Sequence, residues 1–491
     1  VSRERRPRSF VERIPNAYVL IFGLLVLAAG LTWVVPPGQF ERAEVDGRVV
    51  VVPGSYELVA EDRPLPAGNT VRPEPQGIGA VLRAPLRGFV EAAEIIVFIL
   101  VVGGAFKVLE ATGAVRAGID RTIVAFRGRE VLLIPGVMVL FSLAGAVFGM
   151  SEETIPFVML FVPLALAMGY DSITGTAMPF VAAGAGFAAA FINPFTLGIA
   201  QGIAELPPVS GIGYRVAVWT VTTGIAIAWV MRYASRVRRD PTRSPTFAQD
   251  QARREAEGLG GGGAGAGAWS ADGGALSRTH RFVLASFGAA LVLLVVGVLR
   301  WGWYIEEIGA LFLGFAIVAA AAARLGGDRT VESFLRGAAE LVGPALVVGL
   351  ARGILVVSRD GGIIDPILHL ASSAIGAFPP VVGAQMMFVA QSLLNFFVPS
   401  GSGQAALSMP LMAPLADLLG ITRQTAVLAY QFGDGFTNLI IPTSGVLLGV
   451  LGAARISWVT WARWMLPLQV VFFLVALLLL VPPVLFGWGP F

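Results

Sequence analysis

Uninterrupted apolar runs, each about as long as a bilayer is thick when wound as a helix, constrain this chain more than any other feature. Ala17 to Val35, Phe282 to Leu299 and Met465 to Val481 are the clearest, and about 20 apolar residues cover a hydrocarbon core of roughly 30 Å. Lipid offers no hydrogen bonds, so a spanning segment must satisfy its own backbone as a helix or join a closed barrel. These runs are rich in leucine, alanine and glycine and lack strand-period alternation, which selects helices. Hydrophobic residues make up 56% of the 491 positions and charged residues 14%, which a water-soluble globule would not show. The first run has no A-x-A-like site after it and is expected to be a retained span, not a cleaved signal. With no cysteine and only His280 and His369 as histidines, disulfides, thiolate sites and metal catalysis are not expected.

Arginine placement orients the spans. Arg3, Arg5, Arg6, Arg8 and Arg13 precede the first run, Arg116, Arg121, Arg127 and Arg129 follow the second, and Arg232, Arg236, Arg238, Arg239, Arg243, Arg253 and Arg254 fill a central loop. All three clusters are expected in the cytoplasm, which puts the N-terminus inside, the C-terminus outside and the chain in a bacterial inner membrane, in contact with lipid. Without aromatic interleaving or a soluble fold, the arginines do not indicate nucleic acid as a partner. Two polar stretches interrupt the pattern. Gln39 to Val59, with Asp46-Gly47 between alternating segments, predicts a hairpin within an outside loop of about 37–92. Ser235 to Arg281, with its Gly258 to Gly267 tract, predicts a flexible cytoplasmic linker covering 233–281.

Landmarks recur in the same order on either side of that linker. Ser151, Pro163-Leu164-Ala165, Gly169 and Thr174 are matched by Ser402, Pro414-Leu415-Ala416, Gly420 and Thr425. Glu94 with Val101-Val102-Gly103 is matched by Glu340 with Val347-Val348-Gly349, and Pro194 and Thr196 by Pro442 and Ser444. Duplicated halves of opposite topology are a transporter design. The expected fold is therefore an all-α polytopic membrane protein of two inverted repeats, 1–232 and 301–491, with an unpaired linking helix at 282–300. Each repeat is expected to carry a re-entrant hairpin, Val131 to Met168 or Val381 to Leu419, and a discontinuous helix, Ser172 to Ala204 or Gln424 to Ala453.

The hairpin tips carry the chemistry. Phe148-Gly-Met-Ser-Glu-Glu-Thr-Ile-Pro156 and Val398-Pro-Ser-Gly-Ser-Gly-Gln-Ala405 place glycines, hydroxyls, carboxylates and an amide between apolar arms. Polar, irregular backbone at membrane depth is tolerated only when it is buried in protein or lines a cavity. Pro194 and Pro442 have no N–H for the carbonyls of Ala190 and Asn438, so each helix should unwind there and offer carbonyl, Asn and Thr oxygens to a cation. The candidate substrate-binding residues are Ser151, Glu152, Glu153, Thr154, Asn193, Thr196, Ser400, Ser402, Gln404, Asn438, Thr443 and Ser444. Ion coupling falls to Asp434, Glu153, Thr437 and Asn438, with sodium or a proton as the coupling ion and Asn193 and Asn438 as candidate sodium ligands.

Ionisable groups in membrane segments are functional hypotheses by default. Glu152 and Glu153 would bind a cationic substrate or carry a proton. Asp434, within Gly433-Asp434-Gly435, suggests a local helix opening and either ion coupling or a pairing with an arginine. Lys107 and Glu110 have the spacing of a helix-face ion pair, Glu94 and Glu340 that of helix N-terminal anions, and His369 reads as structural or interfacial.

These residues resemble a known family. Arg13-Ile-Pro-Asn-Ala-Tyr18, Val35-Pro-Pro-Gly-Gln-Phe40, Val52-Pro-Gly-Ser-Tyr56, Gly149-Met-Ser-Glu-Glu-Thr154, Asp434-Gly-Phe-Thr-Asn438 and Pro442-Thr-Ser444 are similar to the YfcC-like, C4-dicarboxylate-carrier-related group of the ion transporter superfamily. The resemblance covers nearly the whole chain. It implies an elevator-type transport domain, a homodimer, and a small-molecule substrate. Members are described as basic amino acid antiporters, while neighbouring families carry dicarboxylates or short-chain acids. Here the first tip has Ser151-Glu152-Glu153-Thr154 where dicarboxylate carriers have Ser-Asn-Thr, and paired acids disfavour a dianion. The expectation is an ion-coupled or antiporting secondary transporter, without enzymatic activity or cofactor, for a basic amino acid such as arginine or ornithine; the alternative is a C4-dicarboxylate or short-chain acid. No Gly-x-x-x-x-Gly-Lys-Ser/Thr loop is present for ATP.

Overall fold

The computed structural model describes residues 17–45, 48–59, 64–125, 129–256 and 276–489. The N-terminal arginine cluster, Asp46-Gly47, Arg127 and the Gly258 to Gly267 tract lie outside the described residues. The chain begins with α1 (Ala17–Leu31) and four short strands: β1 (Gly38–Gln39), β2 (Arg42–Val45), β3 (Arg48–Val51) and β4 (Glu57–Leu58). Then come α2 (Ile78–Glu91), α3 (Ala93–Ala111), α4 (Ala114–Ala125), α5 (Leu133–Phe148), α6 (Thr154–Ala167), α7 (Ser172–Ala188), α8 (Leu197–Ile203) and α9 (Ile212–Arg239). After α10 (Phe247–Ala256) and α11 (Arg278–Val296), the order repeats. It runs through α12 (Ile305–Ala323), α13 (Gly327–Glu340), α14 (Val342–Asp360), α15 (Ile364–Ile375), α16 (Pro380–Phe397), α17 (Gly401–Leu418), α18 (Arg423–Thr437), α19 (Gly445–Ala454) and α20 (Trp458–Leu479), closing with α21 (Val481–Leu485). Among the described residues six helices are long and apolar enough to cross a membrane, seven if α2 and α3, bent by 62°, count as one span.

The partnerships recur with the order. α2 crosses α14 and α13 crosses α3; α5 and α6 lie on α7 as α16 and α17 lie on α18; α12 packs on α3 and α1 on α14. Lipid removes the hydrophobic drive between helices, so close backbone approach and hydrogen bonds must hold them. Glycines provide the approach: a Cβ on Gly88 would sit 2.3 Å from the Gly349 carbonyl oxygen, and one on Gly337 2.2 Å from that of Gly103. α5 and α6, with 16 and 14 residues, reach only about 21–24 Å at 1.5 Å per residue, short of a full crossing.

Three expectations need correction. The loop expected outside the membrane does not run to residue 92, because α2 occupies 78–91 as an amphipathic helix. The expected hairpin does form before it, with Val45 opposite Arg48, and is tied to α15 by Arg42–Asp365 at 3.0 Å and by His369 stacked on Tyr56 at 4.0 Å. The linker is also shorter than its composition suggests. α9 continues to Arg239, and α10 docks on both halves: Asp250 accepts from the Ser172 N–H at 3.0 Å, Arg254 donates to the Leu166 and Tyr170 carbonyls, and Arg253 to that of Ala454. Finally, Glu340 does not start a helix. It ends α13 as Glu91 ends α2, so Glu91 is its structural counterpart, while Glu94 does occupy the first turn of α3. Lys107 pairs with Glu110 at 3.1 Å as expected and also with Glu340 at 3.2 Å.

Candidate functional site

Both tips and both helix breaks open on one cavity of about 240 Å³. Each tip is built by its own sequence. α5 stops at Gly149, whose φ of +74° is the left-handed conformation that glycine adopts without strain. The chain then turns through Ser151, whose N–H donates to Glu153 Oε2 at 2.9 Å, while Thr154 Oγ1 donates to the Ser151 carbonyl at 2.6 Å. Glu153 is buried and spends one oxygen holding the tip, and Glu152 is half-buried on the cavity wall. The second tip begins α17 with Ser400 as its N-cap, accepting from the Gly403 N–H. Ser402 lies beside it on the wall, and Tyr430 donates to the Gly401 carbonyl at 2.6 Å.

The discontinuous helices are broken where the prolines require it, between Ala188 and Leu197 and between Thr437 and Gly445. Thr196, Asn438, Thr443 and Ser444 line the cavity from these breaks. Thr443 Oγ1 is buried without a partner among the described residues, and Ser444 caps α19. Asp434 stands one turn before the second break, fully buried. Its Oδ1 accepts from Asn438 at 2.9 Å, and its Oδ2 has no partner among the described residues and faces the second tip, 2.8 Å from where a Gly401 Cβ would be.

Several expectations change here. Among the described residues Asp434 is not paired with an arginine, and α18 is not opened around it. Instead Gly433 lets the α16 backbone approach, a Cβ there falling 2.9 Å from the Ser392 nitrogen, and Gly435 lets α7 approach, 2.4 Å from Ala188 Cα. Asn193 does not reach the cavity. Its Oδ1 accepts from the Phe195 and Thr196 N–H groups at 2.9 and 3.3 Å, leaving a buried Nδ2 donor, the wrong polarity for a sodium ligand. Gln404 is buried away from the cavity with Gln391 and Ser408, Thr437 is held by Asn395 and the Gly433 carbonyl, and Thr154 by the tip itself. The carbonyl freed by Pro194 is not open to a cation either, because Arg215 Nη1 donates to Ala190 O at 3.4 Å. At the second break, Trp461 and Trp458 donate to the carbonyls of Leu439 and Ile440 at 2.9 and 2.8 Å.

The opposite wall was not anticipated. Glu91, Glu94, Tyr304 and Arg352 face the tips, Arg352 lying 3.8 Å from Glu91. The signal for Arg352 was present as one arginine inside the apolar run that forms α14, and Arg215 in α9 was visible in the same way. The wall thus presents Glu91, Glu94, Glu152 and Glu153 against Arg352, with hydroxyls and helix starts between them. Such a lining suits a small polar solute with at least one positive charge and contains no nucleophile set beside a histidine base.

A family model described as C4-dicarboxylate anaerobic carrier, DcuC, matches residues 14–484. The chain belongs to that family. An Escherichia coli (strain K12) protein named "Putative basic amino acid antiporter YfcC" is 37% identical over 478 residues, 92% of each chain. An uncharacterized Haemophilus influenzae protein is 31% identical over 509 residues, 95% of this chain and 96% of its own. The crystal structure of the Alcanivorax borkumensis YdaH transporter aligns over 97% of this chain and 99% of its own, at 19% identity and a TM-score of 0.42. Membership makes the chain a multi-pass membrane secondary transporter of a small molecule and not an enzyme.

Proposed function

We propose that the protein exchanges or co-transports a basic amino acid, such as arginine or ornithine, across the bacterial inner membrane. The observation that carries this reading is the charge of the cavity wall, four carboxylates against one arginine. Glu152 and Glu153 take the cationic side chain, and Asp434, with a free oxygen at the second tip, takes the coupling proton or ion together with Asn438. The name of the Escherichia coli relative agrees in substrate class.

The recurring order of elements supports two inverted repeats, and the short arms of α5 and α6 support a re-entrant first hairpin. A second cavity of about 310 Å³ supports alternating access. It lies at the other end of α3, beside Lys107, Glu110 and Glu340, while the first lies at Glu94 and Ile95. Between the two, Ile99, Ile155 and Gly449 meet: a Cβ on Gly449 would be 2.8 Å from Ile155 and 3.1 Å from Ile99. Tips and discontinuous helices move past this closed seam as one body, in an elevator-type stroke, in a homodimer with the N-terminus in the cytoplasm. The family's description favours one second reading, a C4-dicarboxylate or short-chain acid carrier driven by sodium or protons.

Uptake of labelled arginine against labelled succinate in proteoliposomes separates the two substrates. Undiminished transport by both Glu153→Gln and Asp434→Asn removes the site assignment, and gradient-independent conductance removes the carrier reading.

A further inference from the structure

We infer that Arg352 is the carboxylate anchor of the substrate site, so that the protein selects cationic amino acids over the diamines that lack a carboxylate. The inference rests on the transport reading above and adds a second pole to it.

Arg352 projects from α14 into the cavity, with its side chain 31% exposed. Its Nε is buried and has no hydrogen-bond partner among the described residues. The carboxylate nearest to it, Glu91, is 3.8 Å away and is already engaged by Arg359 at 2.5 Å. An arginine held this way is under-paired, and its planar fork is the geometry that receives a carboxylate through two parallel hydrogen bonds. A buried guanidinium donor without a partner is costly, and a ligand oxygen removes that cost only when bound.

The tips supply the opposite pole. Glu152, Glu153, Tyr304 and Arg352 line the same cavity, so all four groups bound one small volume. A solute with a carboxylate at one end and a cation at the other satisfies both poles. A diamine leaves Arg352 unpaired and adds a like charge beside it, and a dicarboxylate meets Glu152 and Glu153. The anchor sits on α14 and the acids on the first hairpin, so a bound amino acid bridges the two sides of the cavity.

The test measures competition for binding and uptake in proteoliposomes by arginine, agmatine and succinate, for the wild type, Arg352→Gln and Arg352→Lys, with monodispersity and melting temperature as fold controls. Expected are a wild-type preference for arginine over agmatine of about tenfold or more, the range of a charge-assisted hydrogen bond, a collapse of that ratio in Arg352→Gln, and partial recovery in Arg352→Lys. An unchanged ratio in a folded Arg352→Gln protein overturns the anchor. Binding of succinate but not arginine by the wild type defeats the basic-amino-acid reading alone. In that case the anchor stands if Arg352→Gln loses succinate and falls if it does not.

Discussion

The contact between the two discontinuous helices gives the sharpest mechanical test. At Gly435 the α18 backbone lies against α7, so a methyl group added there falls 2.4 Å from Ala188 Cα, 2.6 Å from its Cβ and 2.7 Å from its N. Carbon atoms rest at about 3.5–4.0 Å, so the helices must part by roughly 1 Å. Side-chain rotation gives no escape, because two of the three obstructing atoms are backbone. Overpacking of this kind costs about 1–3 kcal/mol, against a gain of about 0.5–1 kcal/mol from replacing a helical glycine. The net for Gly435→Ala is a loss of about 1.3 kcal/mol, roughly tenfold in the folding equilibrium, and displacement of the neighbouring Asp434 should lower uptake further. Gly224→Ala in α9 is the control: nothing lies within 4 Å of its Cβ, so the propensity gain of about 0.5–1 kcal/mol should stand alone. Thermal melting of the purified proteins, with uptake in parallel, measures both. A Gly435→Ala protein as stable as Gly224→Ala, with wild-type uptake, would refute the close approach.

Other substitutions test other joints. Trp461→Phe leaves the Leu439 carbonyl without its donor and should cost about 1–3 kcal/mol in a melt; Arg215→Met should cost less, because it also relieves a buried charge. Gly401→Ala presses on Thr196 and Asp434 side chains, with a methyl 2.4 Å from Thr196 Cγ2, so transport should fall while melting stays within about 1 kcal/mol of wild type. Asp250→Ala removes the acceptor for the Ser172 N–H and Oγ at the start of α7, and should cost about 1–2 kcal/mol and speed proteolysis between Asp240 and Ala256.

Much of this arrangement was legible in the sequence, for physical reasons. Proline cannot continue a helical hydrogen-bond ladder, so Pro194 and Pro442 marked both breaks. Hydroxyls and glycines between apolar arms likewise marked both tips, with acids at the first and an amide at the second. What could not be read was which oxygens are spent inside the fold. Asn193 and Gln404 carry the same side-chain amide group as Asn438, yet only the three-dimensional arrangement turns Asn193 onto its own turn and Gln404 onto Gln391. The Gly433-Asp434-Gly435 triplet misled because glycine in a helix signals either a distortion or a neighbour's close approach, and local sequence does not say which. Arg352 and Arg215 stood in plain view, but their partners come from helices far away in the chain. The Glu94–Glu340 match failed for a smaller reason: in glycine-rich apolar sequence a register slip of three residues is invisible until helix ends are known.

The docking of α10 bears on how a duplicated chain stays in step. The last carbonyls of α6 and of α19 are where each helix concentrates its negative dipole end, and these helices come from different halves. Arg254 meets the first and Arg253 the second, so one short helix splints both. The connection between the halves is therefore a structural part that happens to lie between them. A protein divided into two co-expressed pieces after Ala256 keeps that splint attached to the first piece and still able to reach the second, whereas division after Asp240 moves the splint to the second piece and cuts its tether to α9.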